Sequence, residues 1–159
     1  MSDFIKYIIN TATTANIASH LKNCEKSFLL DLETRVDINE YSKKIKENAV
    51  LFEAWVGGRL TGLLAAYFNR IEGKTAYITN VSVLEKYQKM GIASMLMMHC
   101  IEYGIAGNFE IIRLEVSANN INALRFYSKF DFQTTGHKND YLVLELNINK
   151  TWKEITTKN

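Results

Sequence analysis

The stretch that most restricts how this chain can fold runs from Tyr77 to Tyr103, YITNVSVLEKYQKMGIASMLMMHCIEY. Tyr77 to Val83 is rich in β-branched and aromatic residues and predicts a strand. Leu84 to Met90 is a polar, charged turn. Gly91 then opens a helix in which Ile92, Met95, Leu96, His99 and Tyr103 recur at three- and four-residue spacing. A glycine between strand and helix admits the close approach of a second backbone or of a ligand. The first N–H groups of such a helix have no intrahelical acceptor and lie at the positive end of its dipole. That combination suits a phosphate or pyrophosphate. An ordinary strand–turn–helix would carry the same residues, so the rest of the chain has to decide.

A chain of 159 residues can bury one core, which predicts a single domain over residues 1–148 and a polar, lysine-bearing tail over 149–159. Nineteen basic against seventeen acidic side chains leave a net charge of +2, so bulk charge gives no case for nucleic acid or membrane as a partner. No run approaches the eighteen apolar residues of a membrane span, and MSDFIKYIIN lacks the build of a signal peptide. A cytoplasmic protein, monomeric or homodimeric, is the expectation. Cys24 and Cys100 make no disulfide framework and have no metal-ligand spacing with His20, His99 or His137, so no metal is expected.

Before the opening stretch, Phe4 to Ile9 predicts a strand and Thr11 to Lys22 a helix capped by one of its threonines. Cys24 to Val36 fits a helix extension or a core-covering loop. Asp37-Ile38-Asn39-Glu40 has the form of a capping box for a helix to about Glu47. Val50 to Val56 and Arg59 to Phe68 predict a hairpin through Gly57-Gly58. The second of these strands is apolar on both faces, as a central strand is. Glu72-Gly73-Lys74 is the next turn. After the helix, Gly104 and Gly107 are expected to mark its end. Glu110 to Ser117 then alternates Ile112, Leu114 and Val116 against Arg113, Glu115 and Ser117. Asn119 or Asn120 would cap a helix carrying Ala123, Phe126, Tyr127 and Phe130. Phe132 to Thr135 and Tyr141 to Ile148 predict two last strands, joined through Gly136 to Asp140 with His137 in the loop. The unit from Tyr77 to Ser117 predicts a right-handed parallel crossover. The fold class is therefore α/β (α+β): a mixed, mostly antiparallel sheet of six to seven strands flanked by about four helices.

Two motifs carry a resemblance. Gln88-Lys89-Met90-Gly91-Ile92-Ala93 is Q-x-x-G-x-A, and Leu114-Glu115-Val116 is followed by Asn120, Ala123 and Phe126-Tyr127-Ser128-Lys129-Phe130-Asp131-Phe132. Together, in this order, they resemble the signatures of the GNAT superfamily of acyl-CoA-dependent N-acetyltransferases, over roughly 75–132. The L-E-V…Y pairing is similar to that of ribosomal-protein alanine acetyltransferases. Gln88 stands where the family commonly has Arg, Asp131 where it has Gly, and Glu85-Lys86 where Pro-Glu is frequent.

The resemblance implies acetyl-CoA as cofactor and acetyl transfer to a primary amine: a small amine, an amino sugar or a protein N-terminus. It implies that the strands ending at Val83 and Val116 diverge and that the pantetheine arm pairs along Val81, Ser82 and Val83. The pyrophosphate would lie on the turn formed by Gln88, Lys89, Met90, Gly91, Ile92, Ala93 and Ser94. Asn120, Ala123 and Tyr127 would border the thioester. Tyr127 is the candidate acid for the leaving thiolate, a phenol having an ordinary pKa of about 10; a plain aromatic packed on Ala123 and Phe130 fits the same position. Glu115 is the candidate base, directly or through water; a strand carboxylate paired with Arg113 is its alternative. A backbone N–H near Val83 would steady the carbonyl oxygen. Asp31, Glu33, Tyr67, Asn69 and Asn80 are candidate contacts for a cationic amine, each with an equal reading as surface. A non-catalytic acyl-CoA sensor on the same fold is the alternative function. A nucleotide phosphotransferase lacks its G-K-[ST] at the Gly91 turn.

Overall fold

The computed structural model describes residues 4–24, 37–69 and 72–149. Among the described residues seven strands form one sheet: β1 (Lys6–Ile9), β2 (Val50–Val56), β3 (Arg59–Tyr67), β4 (Thr75–Val83), β5 (Ile111–Ser117), β6 (Gln133–Lys138) and β7 (Tyr141–Asn147). Four α-helices lie among the described residues: α1 (Thr14–Asn23), α2 (Ile38–Asn48), α3 (Ile92–Ala106) and α4 (Ile121–Ser128). The predicted mixed sheet with about four helices is the observed architecture. The candidates Asp31 and Glu33, most of the Cys24–Val36 segment and the tail from residue 150 lie outside the described residues.

Local chemistry explains where the first helices start. Thr13 caps α1 with a reciprocal pair: its hydroxyl accepts from the Asn16 backbone, and the Asn16 amide oxygen accepts from the Thr13 backbone. Asp37 caps α2, its carboxylate accepting from the N–H groups of Asn39 and Glu40. The loop between β1 and α1 is held by a buried carboxylate on β2. Glu53, 1% exposed, accepts from the backbones of Thr11 and Ala12 at 2.9 Å, from the Thr11 hydroxyl and from the Trp55 indole. A buried carboxylate with all its lone pairs engaged is tolerable; one left bare would cost several kcal/mol.

The strands lie in the order β1-β2-β3-β4-β5-β7-β6, and β4–β5 is the parallel pair. That pair is short: Thr75, Ala76 and Tyr77 meet Ile111, Ile112 and Arg113, and the pairing goes no further. One residue beyond Ile78, the β3–β4 ladder slips, with Ala65 opposite Asn80 and Ala66 opposite Ile78. Thr79 is thus the extra residue of a β-bulge, which bends β4 and sharpens its twist. The bulge also shifts the alternation of faces. Ile78, Val81 and Val83 join the core on the α3 side, whereas Asn80 and Ser82 reach side chains of the other face.

Two apolar clusters fill the two faces. The larger holds Phe52, Leu64, Ile78, Val81, Leu96, Met97, Ile101, Ile112 and Leu144, together with Ala123 and Tyr127 of α4. The smaller holds Ile17, Leu21, Ile45, Leu51, Leu60 and Leu63 beneath α1 and α2. Each fully buried aliphatic side chain contributes about 1.5–3 kcal/mol. Gly62 lets the start of α3 sit close on β3: a Cβ there would come 2.6 Å from the Ile92 methyl.

Several expectations change. The buried stripe of α3 is Ile92, Leu96, Met97, Cys100, Ile101 and Gly104, while Met95 and Tyr103 are exposed. α3 is apolar nearly all round, so spacing could not choose its face. Gly104 lies inside the helix, because the side chain of Ile148 packs where its Cβ would be, and Gly107 is the cap. β6 continues through Gly136 to Lys138, leaving Asn139-Asp140 as the turn with Asn139 at φ +54°. His137 is therefore an exposed strand residue opposite Leu142.

Candidate active site

Where β4 and β5 part, backbone groups lose their ladder partners. The Leu84 N–H donates to the Thr61 carbonyl, so it points at β3. Alternation along a strand then turns the N–H and C=O of Val83 and Val81 away from β3, into the gap. The Val83 carbonyl is met there by the Gln88 side-chain amide at 3.2 Å. Gln88 thus ties the strand end to the turn that follows.

That turn holds Lys89 at φ +66° and Gly91 at φ +80°. Left-handed residues alternating with others gather successive N–H groups into a concavity that suits an anion. The first helical bond of α3 runs from the Met95 N–H to the Gly91 carbonyl, and Gly91 has no side chain to cap the turn. The N–H groups of Ile92, Ala93 and Ser94 are therefore outside the helical ladder. They face a groove of about 550 Å³ that also takes in Val83, Gln88, Lys89 and, from α4, Asn122, Arg125, Phe126 and Lys129. Sequence reasoning missed the α4 wall, although Arg125 and Lys129 are one helical turn apart and share a face. They supply the positive charge that Gln88 lacks. Met90 is exposed, outside the groove lining. A diphosphate fits this turn on its geometry and charge.

A second cavity, of about 240 Å³, lies between the diverging strands. Its lining is Tyr77, Ile78, Thr79, Asn80 and Val81 of β4, Leu114 and Glu115 of β5, Tyr127 of α4 and Tyr141 of β7. The two candidate catalytic residues therefore meet in one cleft. Glu115 accepts a hydrogen bond from the Tyr77 hydroxyl at 3.1 Å and faces the Lys138 ammonium at 3.8 Å. Burial, then the neighbouring Glu115 charge, pushes the Tyr77 phenol above its ordinary range, so it stays a donor. Arg113 does not pair with Glu115. It bridges Glu145, its cross-strand neighbour on β7. The Tyr127 ring is buried edge-on against Phe126 and Phe132; Phe130 packs on Phe126 instead.

The remaining candidates divide. Asn80 lines the cleft. Tyr67 stands directly across the ladder from Tyr77, on the same face. Beside them the Tyr41 hydroxyl of α2 bonds the Thr79 backbone carbonyl and hydroxyl, so tyrosines flank the cleft on the α2 side. Asn69 is exposed past the end of β3 and is not part of the lining. The Asn120 amide oxygen caps α4 by accepting from the Ala123 N–H, and Ala123 is core. The Ser82 side chain is buried against His20 and Asn80, away from the groove. Among the described residues no cluster of metal-binding side chains occurs, and no helix is long and apolar enough to cross a membrane.

Known proteins share this frame. The ribosomal-protein-S18-alanine N-acetyltransferase of Escherichia coli superposes with a TM-score of 0.70 at 17% identity, over 90% of this chain and 94% of that one. The paia N-acetyltransferase of Thermoplasma acidophilum, solved in complex with coenzyme A, gives 0.69 at 14% identity, over 89% and 99%. In sequence, the Drosophila melanogaster protein named "Probable N-acetyltransferase san" is 35% identical over 66 residues. That match spans 41% of this chain and only 36% of its relative. The model of the acetyltransferase (GNAT) family matches residues 15–132, which take in the Gly91 turn, the cleft strands and α4. The chain belongs to the GNAT family of acetyltransferases.

Proposed function

We propose that this chain is an N-acetyltransferase that moves an acetyl group from acetyl-CoA directly to a primary amine in a ternary complex. The observation that carries the reading is the meeting of Glu115 and Tyr127 in one cleft that opens beside the Gly91 groove. Bound acetyl-CoA supplies an activated thioester carbonyl. The groove would hold its diphosphate on the N–H groups of Ile92, Ala93 and Ser94, flanked by Lys89, Arg125 and Lys129. Val81 and the Val83 N–H would engage the pantetheine amides along the backbone edge that faces away from β3, the Val83 carbonyl being held by Gln88.

The chemistry asks this chain for three things. An alkylammonium is protonated at neutral pH, so it must lose a proton before its nitrogen can attack. Glu115, directly or through one water, would take that proton. As the C–N bond forms, the Val83 N–H lies on the edge where the carbonyl oxygen would gather charge. As the C–S bond breaks, the Tyr127 hydroxyl gives its proton to the sulfur. The nitrogen sheds two protons overall; one leaves on the coenzyme thiol and the other reaches solvent. Glu115, Asn80 and the tyrosines at positions 41, 67, 77 and 141 favour a cationic amine, by charge, by hydrogen bond and by ring faces.

A panel of amines, amino sugars and N-terminal peptides with labelled acetyl-CoA tests the reading. Acetylation of a primary amine is the expected result. Coenzyme A binding without turnover on any amine would leave a non-catalytic acyl-CoA-binding module in its place.

A further inference from the structure

Behind the cleft a line of polar side chains runs into the core. His20 of α1 is 3% exposed and Ser82 fully buried. The His20 ring Nδ1 lies 3.0 Å from the Leu60 carbonyl oxygen, and Nε2 lies 2.9 Å from the Ser82 hydroxyl. That hydroxyl is 2.8 Å from the Asn80 amide atom placed as Oδ1, whose place the amide nitrogen takes on a half-turn of the side chain, and Asn80 lines the cleft. The Thr79 bulge makes the line possible, since it brings Asn80 and Ser82 to the face that α1 covers.

We infer that His20 and Ser82 are positioning residues for the acceptor amine: they orient the Asn80 amide so that its carbonyl oxygen faces the cleft and accepts an N–H of the acceptor. This rests on the cleft being the acceptor site, as proposed above.

Counting hydrogens along the line gives the orientation. A carbonyl can only accept, so the nitrogen facing Leu60 carries hydrogen and donates. Burial pushes the His20 imidazole down to about 4, and the nearby Arg59 charge acts in the same direction, so the ring is neutral at neutral pH. A neutral ring has one N–H. Nε2 is then an acceptor, and the Ser82 hydroxyl must donate to it. Ser82 has one hydrogen, so its oxygen offers Asn80 only lone pairs. The end of the Asn80 amide that satisfies them is its NH₂, which leaves the carbonyl oxygen for the cleft. The reverse order, with Ser82 donating to the Asn80 oxygen at 2.8 Å, needs a second hydrogen on the ring and belongs to the imidazolium. The other neutral tautomer would set a bare ring nitrogen against the Leu60 carbonyl, two acceptors 3.0 Å apart. Cys24, its sulfur 3.5 Å from Nε2, keeps its proton because burial pushes the thiol up to about 12.

Nitrogen-15 NMR of the histidines in the full chain at pH 7 tests the count without any mutation. His20 should show a hydrogen on Nδ1 and none on Nε2; an imidazolium or the Nε2–H tautomer would overturn the inference. Kinetics with the amine that the panel identifies test its consequence. Asn80→Ala should raise the amine KM about 10-fold, the loss of one hydrogen bond to a cation, with the acetyl-CoA KM unchanged. Ser82→Ala should do the same alone and add nothing on top of Asn80→Ala, as for members of one network. If Asn80→Ala raises the amine KM and Ser82→Ala does not, the line has no positioning role. If Asn80→Ala leaves the amine KM alone, the acceptor site is elsewhere and the reading of the cleft falls, whatever the tautomer. Should Ser82→Ala fail to fold, the NMR result on the unaltered chain still decides the inference.

Discussion

The groove over Gly91 and the cleft between β4 and β5 adjoin, yet they are made of different material. The groove is chiefly backbone: N–H groups at the start of α3, set by positive φ at Lys89 and Gly91, with α4 cations alongside. The cleft is chiefly side chains drawn from β4, β5, α4 and β7, with Tyr41 of α2 behind Thr79. A backbone site tolerates most substitutions at its own positions, because every residue but proline carries the N–H it uses. A side-chain site changes its ligand with a few substitutions. The groove is therefore the steadier of the two under substitution, and the cleft the more easily retuned.

The groove should break most sharply at Gly91. No atom crowds a Cβ at that position, so Gly91→Asp meets mainly charge and the penalty of positive φ. A carboxylate about 4 Å from a phosphate charge costs about 4 kcal/mol at an effective dielectric of about 20, so acetyl-CoA affinity should fall about 10³-fold. Calorimetric titration of a folded variant checks this; unchanged affinity would remove the phosphate from the turn.

The cleft side should be the acid-sensitive one. Burial in the folded chain pushes the His20 imidazole down to about 4, below its ordinary value of about 6.5. Above pH 6.5 neither the folded nor the unfolded chain carries this charge, and the stability is complete. As pH falls, the unfolded chain takes up the proton first, and about 3 kcal/mol is lost progressively between pH 6.5 and 4. Urea midpoints across that range should fall in the unaltered chain and fall less in His20→Gln. Parallel slopes would clear His20.

Tyr127→Phe removes one hydroxyl and keeps the ring against Phe126 and Phe132. If the hydroxyl protonates the thiolate, kcat should drop about 10²-fold or more while acetyl-CoA binding changes little. Wild-type turnover would take Tyr127 out of the chemistry. Glu115→Gln should have the smaller effect, because water can still carry the amine proton away. Its signature is a flattened acidic limb in the kcat/KM profile, with a rate loss of about 10²-fold at most. Superimposable profiles would return Glu115 to its bonds with Tyr77 and Lys138.

Much of the groove was legible in the chain, because its parts are consecutive. Strand composition, a polar turn, Gly91 and a helix follow within one stretch. The cleft was less so. Glu115 and Tyr127 came from a motif, but Tyr77, Thr79 and Leu114 did not enter as site residues. The alternative for Glu115, a pair with Arg113, does not form: Arg113 lies on Glu145, because β7 pairs with β5. Of the two asparagines offered as the α4 cap, Asn120 is the one whose side chain takes it.

By itself the sequence determined the element order, the Asp37 cap, the Gly57-Gly58 hairpin and the strand–Gly91–helix turn, and it narrowed the α4 cap to Asn119 or Asn120. Each depends on residues within a few positions of one another, where propensity, capping and alternation act directly. Only the tertiary structure decided which face of α3 is buried, where β4 leaves β5, and that Thr79 bulges. It also brought His20, 62 residues from Ser82, behind Asn80. These are outcomes of competition among long-range contacts. An apolar helix takes the face its neighbours leave room for, and a buried histidine takes the tautomer that its partners' hydrogens allow.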